Sequence, residues 1–586
     1  MRPIDGWIVF AYLVLSLVLG LYLSRRGSRS LEDFFVSGRS LPWWLAGVSM
    51  AATTFSIDTP LYVAGLVATR GVAGNWEWWC FGVAHVFLVY VFARLWQRAG
   101  IITDAELTEL RYGGRSAAWL RGVKAFLFAV PINAIGIGYA MLATVKVVEA
   151  LEIWPRLGID PGPGLKLWSV VGVSLLVLVY AGLAGLWGVV VTDFFQFFLA
   201  MIGAIVVTTV AVNHVGGMAA LVDQVRAQYG PEFLSFLPVQ FTAGRWLWSS
   251  LAGISASTFW AYLLVQWWAF RRSDGGGEFI QRLAACRSES EAVQAAWGFN
   301  FLNYVLRTWP WVVVGLVALV LYPDLADREL GYPKLMLDFL GPGWLGLVVA
   351  SLLAAFMSTV STQINWGASY LTHDLYQRFL RPAASQRELV TAGRVASVIV
   401  TLLGAVAAFQ AEDVGTVFRL VIAIGTGPGL VLILRWFWWR VNAAAELAAM
   451  VAGFGVGLAT SVVPMVQIED FGERLIVTTL LTMAVWVPVM FLTPPEDGPT
   501  LARFYTQVRP GGPGWRVQQQ STGLAPRQNL SLELRRVAAG LLLLYGLMFA
   551  LGGFLLWQPW TGWMALISAA IGGAWLRRLH RGSASQ

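Results

Sequence analysis

Charge is scarce in this chain: Asp, Glu, Lys and Arg make up 13% of its 586 residues, while apolar residues make up 57%. Water-soluble domains carry roughly a quarter of their residues as charges, so composition alone excludes an ordinary soluble enzyme or binding module. Cysteine is almost absent, and Cys80 and Cys286 stand in neither a CxxC nor a metal-ligand spacing, so no disulfide is expected. The four histidines, His85, His214, His373 and His580, are scattered. His85, on an apolar stretch, reads as a hydrogen-bonded structural residue rather than a proton relay. No GxxxxGK[ST] loop occurs, which argues against a pump driven by a nucleotide bound to this chain.

Apolar runs are what the chain has in abundance. Mean hydropathy is +0.64, with 30 Trp, and reading for runs of about 20 residues gives about fifteen candidate spans. They begin near residues 7, 43, 75, 121, 166, 190, 248, 295, 343, 389, 415, 442, 472, 534 and 558. The first lacks a basic lead-in and a small-residue cleavage site, so a retained helix is predicted rather than a signal peptide. Lys and Arg concentrate at 24–29, 94–124, 271–287, 378–387, 503–536 and from 577 onward, after odd-numbered spans. Links such as 410–415 and 558–562 are acidic or neutral. The positive-inside rule then predicts a multi-pass protein of the cell inner (plasma) membrane with its N-terminus outside and its C-terminus cytoplasmic. The net charge of +8 is dispersed between spans, so the lipid bilayer is the predicted partner and nucleic acid is not. No obligatory protein partner is evident.

Two apolar segments carry polar residues that a lipid-facing helix would not tolerate. Within 353–378, Ser358, Thr359, Ser361 and Thr362 crowd four hydroxyls into five positions. One such hydroxyl can bond its own helix a turn back, but four on more than one face point to a ligand. Neutral hard oxygens suit a small monovalent cation, whereas a divalent ion would want several carboxylates. In the second span, Thr53, Thr54, Ser56, Asp58, Thr59 and Pro60 occupy the middle of 43–67. Pro60 cannot donate one turn back and Asp58 would be costly in hydrocarbon, so a helix broken at this point and facing a polar cavity is predicted. Such breaks free carbonyls for sodium and turn half-helix ends toward a solute.

Several ordered motifs resemble the sodium/solute symporter family of sodium/sugar, sodium/proline and sialic acid transporters. They are Asp33-Phe34-Phe35 with Gly38-Arg39-Ser40-Leu41-Pro42-Trp43-Trp44, the GLWGVVVTDFFQ of 185–196, Gln281-Arg282 with Ala284-Ala285, and the AAFMSTVST of 354–362. The resemblance spans about residues 5–465. It implies an all-α polytopic fold of the leucine-transporter type, an inverted repeat of five plus five helices with additional N- and C-terminal helices. On this plan, residues 1–42 hold the extra first helix and entry motif, 43–212 and 248–437 the two repeats, and 213–247 an external connection. Peripheral helices fill 438–492, a polar cytoplasmic linker 493–533, and a helix pair with a basic tail 534–586. The implied principal sodium site uses Ala52, Phe55, Ala355, Ser358 and Thr359. A second sodium would take Asp193 with Ser358, Ser361 and Thr362.

The expected activity is sodium-coupled import of a small polar solute by alternating access, with a sugar or sugar acid favoured and an amino acid or carboxylate as the alternative. Predicted solute contacts are Thr54, Asp58, Thr59, Glu77, Gln266 and Trp267. Glu77 lies among Trp76, Trp78 and Trp79, and a carboxylate between aromatic rings suits a sugar. The seventh span, Leu264-Val265-Gln266-Trp267-Trp268, departs from galactose-binding relatives, which have Asn and Tyr there, and Ser273–Glu278 reads as an insertion. A channel would want a continuous polar lining, an enzyme a catalytic cluster that is not found, and a membrane sensor a soluble domain after residue 580.

Overall fold

The computed structural model describes residues 2–24, 30–156, 158, 160, 162–181, 186–242, 244–249, 254–412 and 414–584. The basic connection at 25–29 and Gly185 of the 185–196 motif lie outside them. Among the described residues the regular structure is helical, apart from an antiparallel hairpin of Val239–Thr242 with Arg245–Trp248. Among the described residues, ten helical runs are long and apolar enough to cross a membrane. Other candidate segments hold shorter apolar helices, such as Val414–Gly425, or a helix in two pieces.

Helix ends follow from local sequence. Ser288 and Ser385 cap their helices by accepting from the backbone N–H of Glu291 and Glu388, and Asp470 does the same for Glu473. The predicted break is present: one half-helix runs Trp43–Thr53, the next Asp58–Arg70, with non-helical backbone between them. Both halves lie in the interior, against Leu186–His214, Thr308–Leu321 and Trp344–Ser369.

Close helix approach brings the polar residues together. Leu186–His214 crosses Trp344–Ser369 at Gly203, where a Cβ would overlap Ser351, and this crossing places Asp193 beside Ser358. Gly203→Val should therefore cost about 1–3 kcal/mol through overpacking. A thermal-unfolding midpoint equal to that of the unmutated protein would contradict such a tight crossing.

Residues 493–533, expected to be a polar linker, are folded against the bundle. Gly498–Val508 is an amphipathic helix that buries Leu501, Phe504, Tyr505 and Val508, and Arg516–Thr522 follows it. The 3–4–7 spacing of those four residues is a helical stripe, obscured in the sequence by flanking Pro and Gly. Nearby, burial tends to raise the Glu109 carboxyl, but the Arg378 and Arg121 guanidiniums outweigh it and hold Glu109 below the usual carboxylate range.

Candidate functional site

The broken segment meets the hydroxyl cluster directly. Thr359 Oγ1 donates toward the carbonyls of Thr53 and Phe55 at 3.0 and 3.2 Å, so a hydroxyl of the long helix faces carbonyls released by the break. Ala52 and Ala355 are buried beside them. Ser358 instead donates to Asp193 Oδ1 at 2.6 Å, and Ser49 donates to Asp193 Oδ2 at 2.5 Å. Ser361 donates to the carbonyl of Ser358, while Thr362 Oγ1 lies 3.2 Å from Thr53 Oγ1. The two predicted ion sets thus occupy one continuous oxygen-rich region.

One cation in this region was not read from the sequence. Arg282 donates from Nη2 to Thr362 Oγ1 at 2.6 Å and from Nε to Ser49 Oγ at 3.0 Å, and Nη2 lies 3.5 Å from Asp193 Oδ2. The Gln281-Arg282 motif is plain in the sequence, but its partners are not, because Ser49, Asp193 and Thr362 stand on three other helices.

A cavity of about 150 Å³ opens beside the break and is lined by Thr54, Asp58 and Thr59 among the predicted solute contacts. Arg272, Glu278 and Arg307 also line it. Arg307 donates to the carbonyl of Ala51 at 3.0 Å and to Thr54 Oγ1 at 2.9 Å. Five buried polar atoms of the lining residues have no protein partner: Ser56 Oγ, Asp58 Oδ1, Glu278 Oε2, Arg272 Nε and Arg307 Nε; Arg272 and Glu278 are otherwise joined in an ion pair. Buried groups of this kind are normally satisfied, and the lining residues carry both acceptors and donors. Arg307 interrupts an apolar run, and an intramembrane charge is the sequence signal that would have marked it. Glu278 belongs to the stretch read as an insertion.

Glu77, Gln266 and Trp267 do not line this cavity. Glu77 is fully buried and bonded to Arg70 Nη1 (2.7 Å), Tyr62 Oη (2.7 Å) and Tyr262 Oη (2.9 Å), with Arg419 Nη1 at 3.7 Å. Gln266 donates to the carbonyl of Glu77 at 2.9 Å. Trp267 donates to the carbonyl of Leu263 and stacks on Phe87.

The chain is similar to known proteins. The chain is 26% identical over 521 residues to the sodium/glucose cotransporter of Vibrio parahaemolyticus, covering 82% of this chain and 89% of that one. It is 25% identical over 510 residues to the sodium/myo-inositol cotransporter 2 of Rattus norvegicus, covering 80% and 71%. A solved structure of a Na+-coupled sialic acid symporter in a substrate-bound outward-open state superposes with a TM-score of 0.66 at 22% identity, over 85% of this chain and 99% of that one. At that identity the likeness establishes the leucine-transporter-like fold. The family model that matches covers residues 34–453, well over half of the chain, which therefore belongs to the sodium:solute symporter family.

Proposed function

We propose that the protein uses the sodium gradient to import a small polyhydroxylated solute, a sugar or sugar acid, by alternating access. The observation that carries this reading is the cavity beside the broken helix, whose lining brings together Asp58, Arg307 and the ion-paired Arg272 and Glu278. A hydroxyl both donates and accepts, so a polyol can bond acids and arginines alike, and the two acids balance the two arginines in formal charge. The sodium/glucose and sodium/myo-inositol cotransporters among the relatives support the same class.

In this reading the coupling ion binds Ala52, Phe55, Ala355, Ser358 and Thr359, with Thr359 turning its proton away so that its oxygen joins the freed carbonyls. Thr54, Asp58 and Thr59 contact the solute, while Glu77, Gln266 and Trp267 support the wall behind them. Residues 43–212 and 248–437 act as the two moving repeats. The N-terminus lies outside and the C-terminus in the cytoplasm, consistent with Arg94, Arg121, Arg378 and Arg503 falling in the odd-numbered connections.

Proteoliposomes tested with labelled sugars, sugar acids and amino acids should accumulate a polyhydroxylated solute only when sodium is higher outside. Accumulation of an amino acid alone would overturn the solute class. Accumulation independent of sodium would overturn the coupling.

A further inference from the structure

We propose that an apolar groove starting at Arg115 seats one chain of an anionic phospholipid, with the lipid phosphate held on the Arg115 guanidinium. The groove has a volume of about 630 Å³ and shares no lining residue with the cavity beside the broken helix. One side of it is a face of the Gly114–Leu127 helix, on which Arg115, Ala118 and Gly122 follow at helical spacing. Tyr370–Leu380 and Ala443–Val462 both pack against that helix and close the groove with Phe379 and Phe454. A Cβ on Gly122 would stand 3.3 Å from the Phe379 ring, so any larger residue there would begin to fill the space. Apart from Arg115 the lining is wholly apolar and aromatic.

Length and position fit a lipid chain. All three helices belong to runs apolar enough to cross a membrane, and Arg115 is the second residue of the run Gly114–Ala150, at one membrane face. From Arg115 to Leu127 the helix rises about 18 Å, close to the roughly 15 Å of hydrocarbon in one leaflet. Trp119 and Phe126, which also line the groove, are 69% and 51% exposed on the lipid side.

Charge selects the headgroup. Among the described residues Arg115 has no hydrogen bond and no ion pair. The other arginines at this face are engaged, Arg378 with Glu109 at 2.8 Å and Arg381 with Glu388 at 3.3 Å. Glu496, at the start of the same helix, is taken by the N–H groups of Gly113 and Ala443 at 2.8 and 3.0 Å. An uncommitted cation at the mouth of a groove one leaflet deep complements a lipid phosphate. A zwitterionic phospholipid brings its own positive group to the same place, which offsets the attraction. Tyr370–Leu380 continues the Trp344–Ser369 helix, so a seated lipid touches the end of the helix that carries Ser358 and Thr359. Neither the identity of the solute nor the orientation of the chain bears on this site.

Native mass spectrometry of the purified full chain in detergent, titrated with dioleoylphosphatidylglycerol or dioleoylphosphatidylcholine, tests the site without transport. The unmutated protein should retain one phosphatidylglycerol about fivefold more tightly than phosphatidylcholine, the effect of one basic residue facing an anionic headgroup. Arg115→Glu should abolish that preference and Arg115→Lys should keep it; Arg115 has no partner to lose, so both variants should fold. Ala118→Trp, which fills the groove, should weaken retention of both lipids. Equal retention of the two lipids by the unmutated chain, or an undiminished preference in Arg115→Glu, would overturn the site. Displacement of phosphatidylglycerol by equimolar glycerophosphoglycerol, the same headgroup without chains, would overturn it too, because the anion would then bind without the groove. If thermal unfolding shows that Ala118→Trp is misfolded, the Arg115 variants still decide.

Discussion

Replacing Glu77 with alanine is expected to destabilise the protein by about 3 kcal/mol, the low end for breaking a buried ion pair. The carboxylate is fully buried and joins Arg70, Tyr62 and Tyr262, with Arg419 close by. Its loss leaves two guanidiniums facing each other across an emptied space. Because Arg70 and Arg419 retain some access to water, at 24% and 27% side-chain exposure, the cost does not reach the upper end. Glu77→Gln keeps the shape and one acceptor but not the charge, so a smaller loss in the same direction is expected. Thermal unfolding in detergent and solute half-saturation in proteoliposomes separate this role from a direct solute contact. A structural anion lowers the unfolding midpoint with or without solute. Unchanged stability with a tenfold weaker half-saturation would return Glu77 to the solute.

Thr359→Ala should raise the sodium concentration for half-maximal uptake about tenfold, the effect of losing one neutral ligand worth roughly 1.4 kcal/mol. The Thr359 hydroxyl is the contact that spans the break, 3.0 and 3.2 Å from the Thr53 and Phe55 carbonyls. Ser358→Ala should shift the same curve and also removes a donor from Asp193. Uptake measured over a range of external sodium gives both values. Identical curves for both variants and the unmutated protein would refute the assignment of the ion to this crossing.

The break in the second span was legible in the sequence because Pro60 and Asp58 are each incompatible with an unbroken lipid-facing helix. The oxygen-rich region was legible because four hydroxyls in five positions cannot all be satisfied within their own helix. What could not be read is which charges pair across helices. Arg282 finds Asp193 only once three other helices are assembled, and no local periodicity encodes that meeting. Glu77 shows the reverse failure. An acid among tryptophans has the local look of sugar chemistry, yet Arg70 lies one face along and Arg419 arrives from far down the chain. The π-helical stretches at Leu88–Phe92, Tyr262–Gln266 and Phe301–Leu306 add a residue to a turn without a sequence signature, so side-chain facing around the cavity drifts from any ideal helical wheel.

The family match ends at residue 453, but the packed unit does not. Trp515 donates to the carbonyl of Trp436 at 2.8 Å, and Arg111 lies between the rings of Phe504 and Trp515 at 5.4 and 4.9 Å. Gln507 and Gln528 donate to the carbonyls of Ala99 and Val91 at 2.7 and 2.9 Å. The segment after the thirteenth span is thus a clasp over the ends of helices on both sides of the chain's midpoint. A truncated chain stopping at the family boundary would uncover Trp436 and strip Arg111 of the rings of Phe504 and Trp515, leaving it only its bonds to the carbonyls of Arg435, Trp438, Trp439 and Val441 and the ring of Tyr112. The packed unit therefore runs past the family boundary through the clasp, and Tyr545, donating to the carbonyl of Trp79 at 2.6 Å, carries it into the helix that follows.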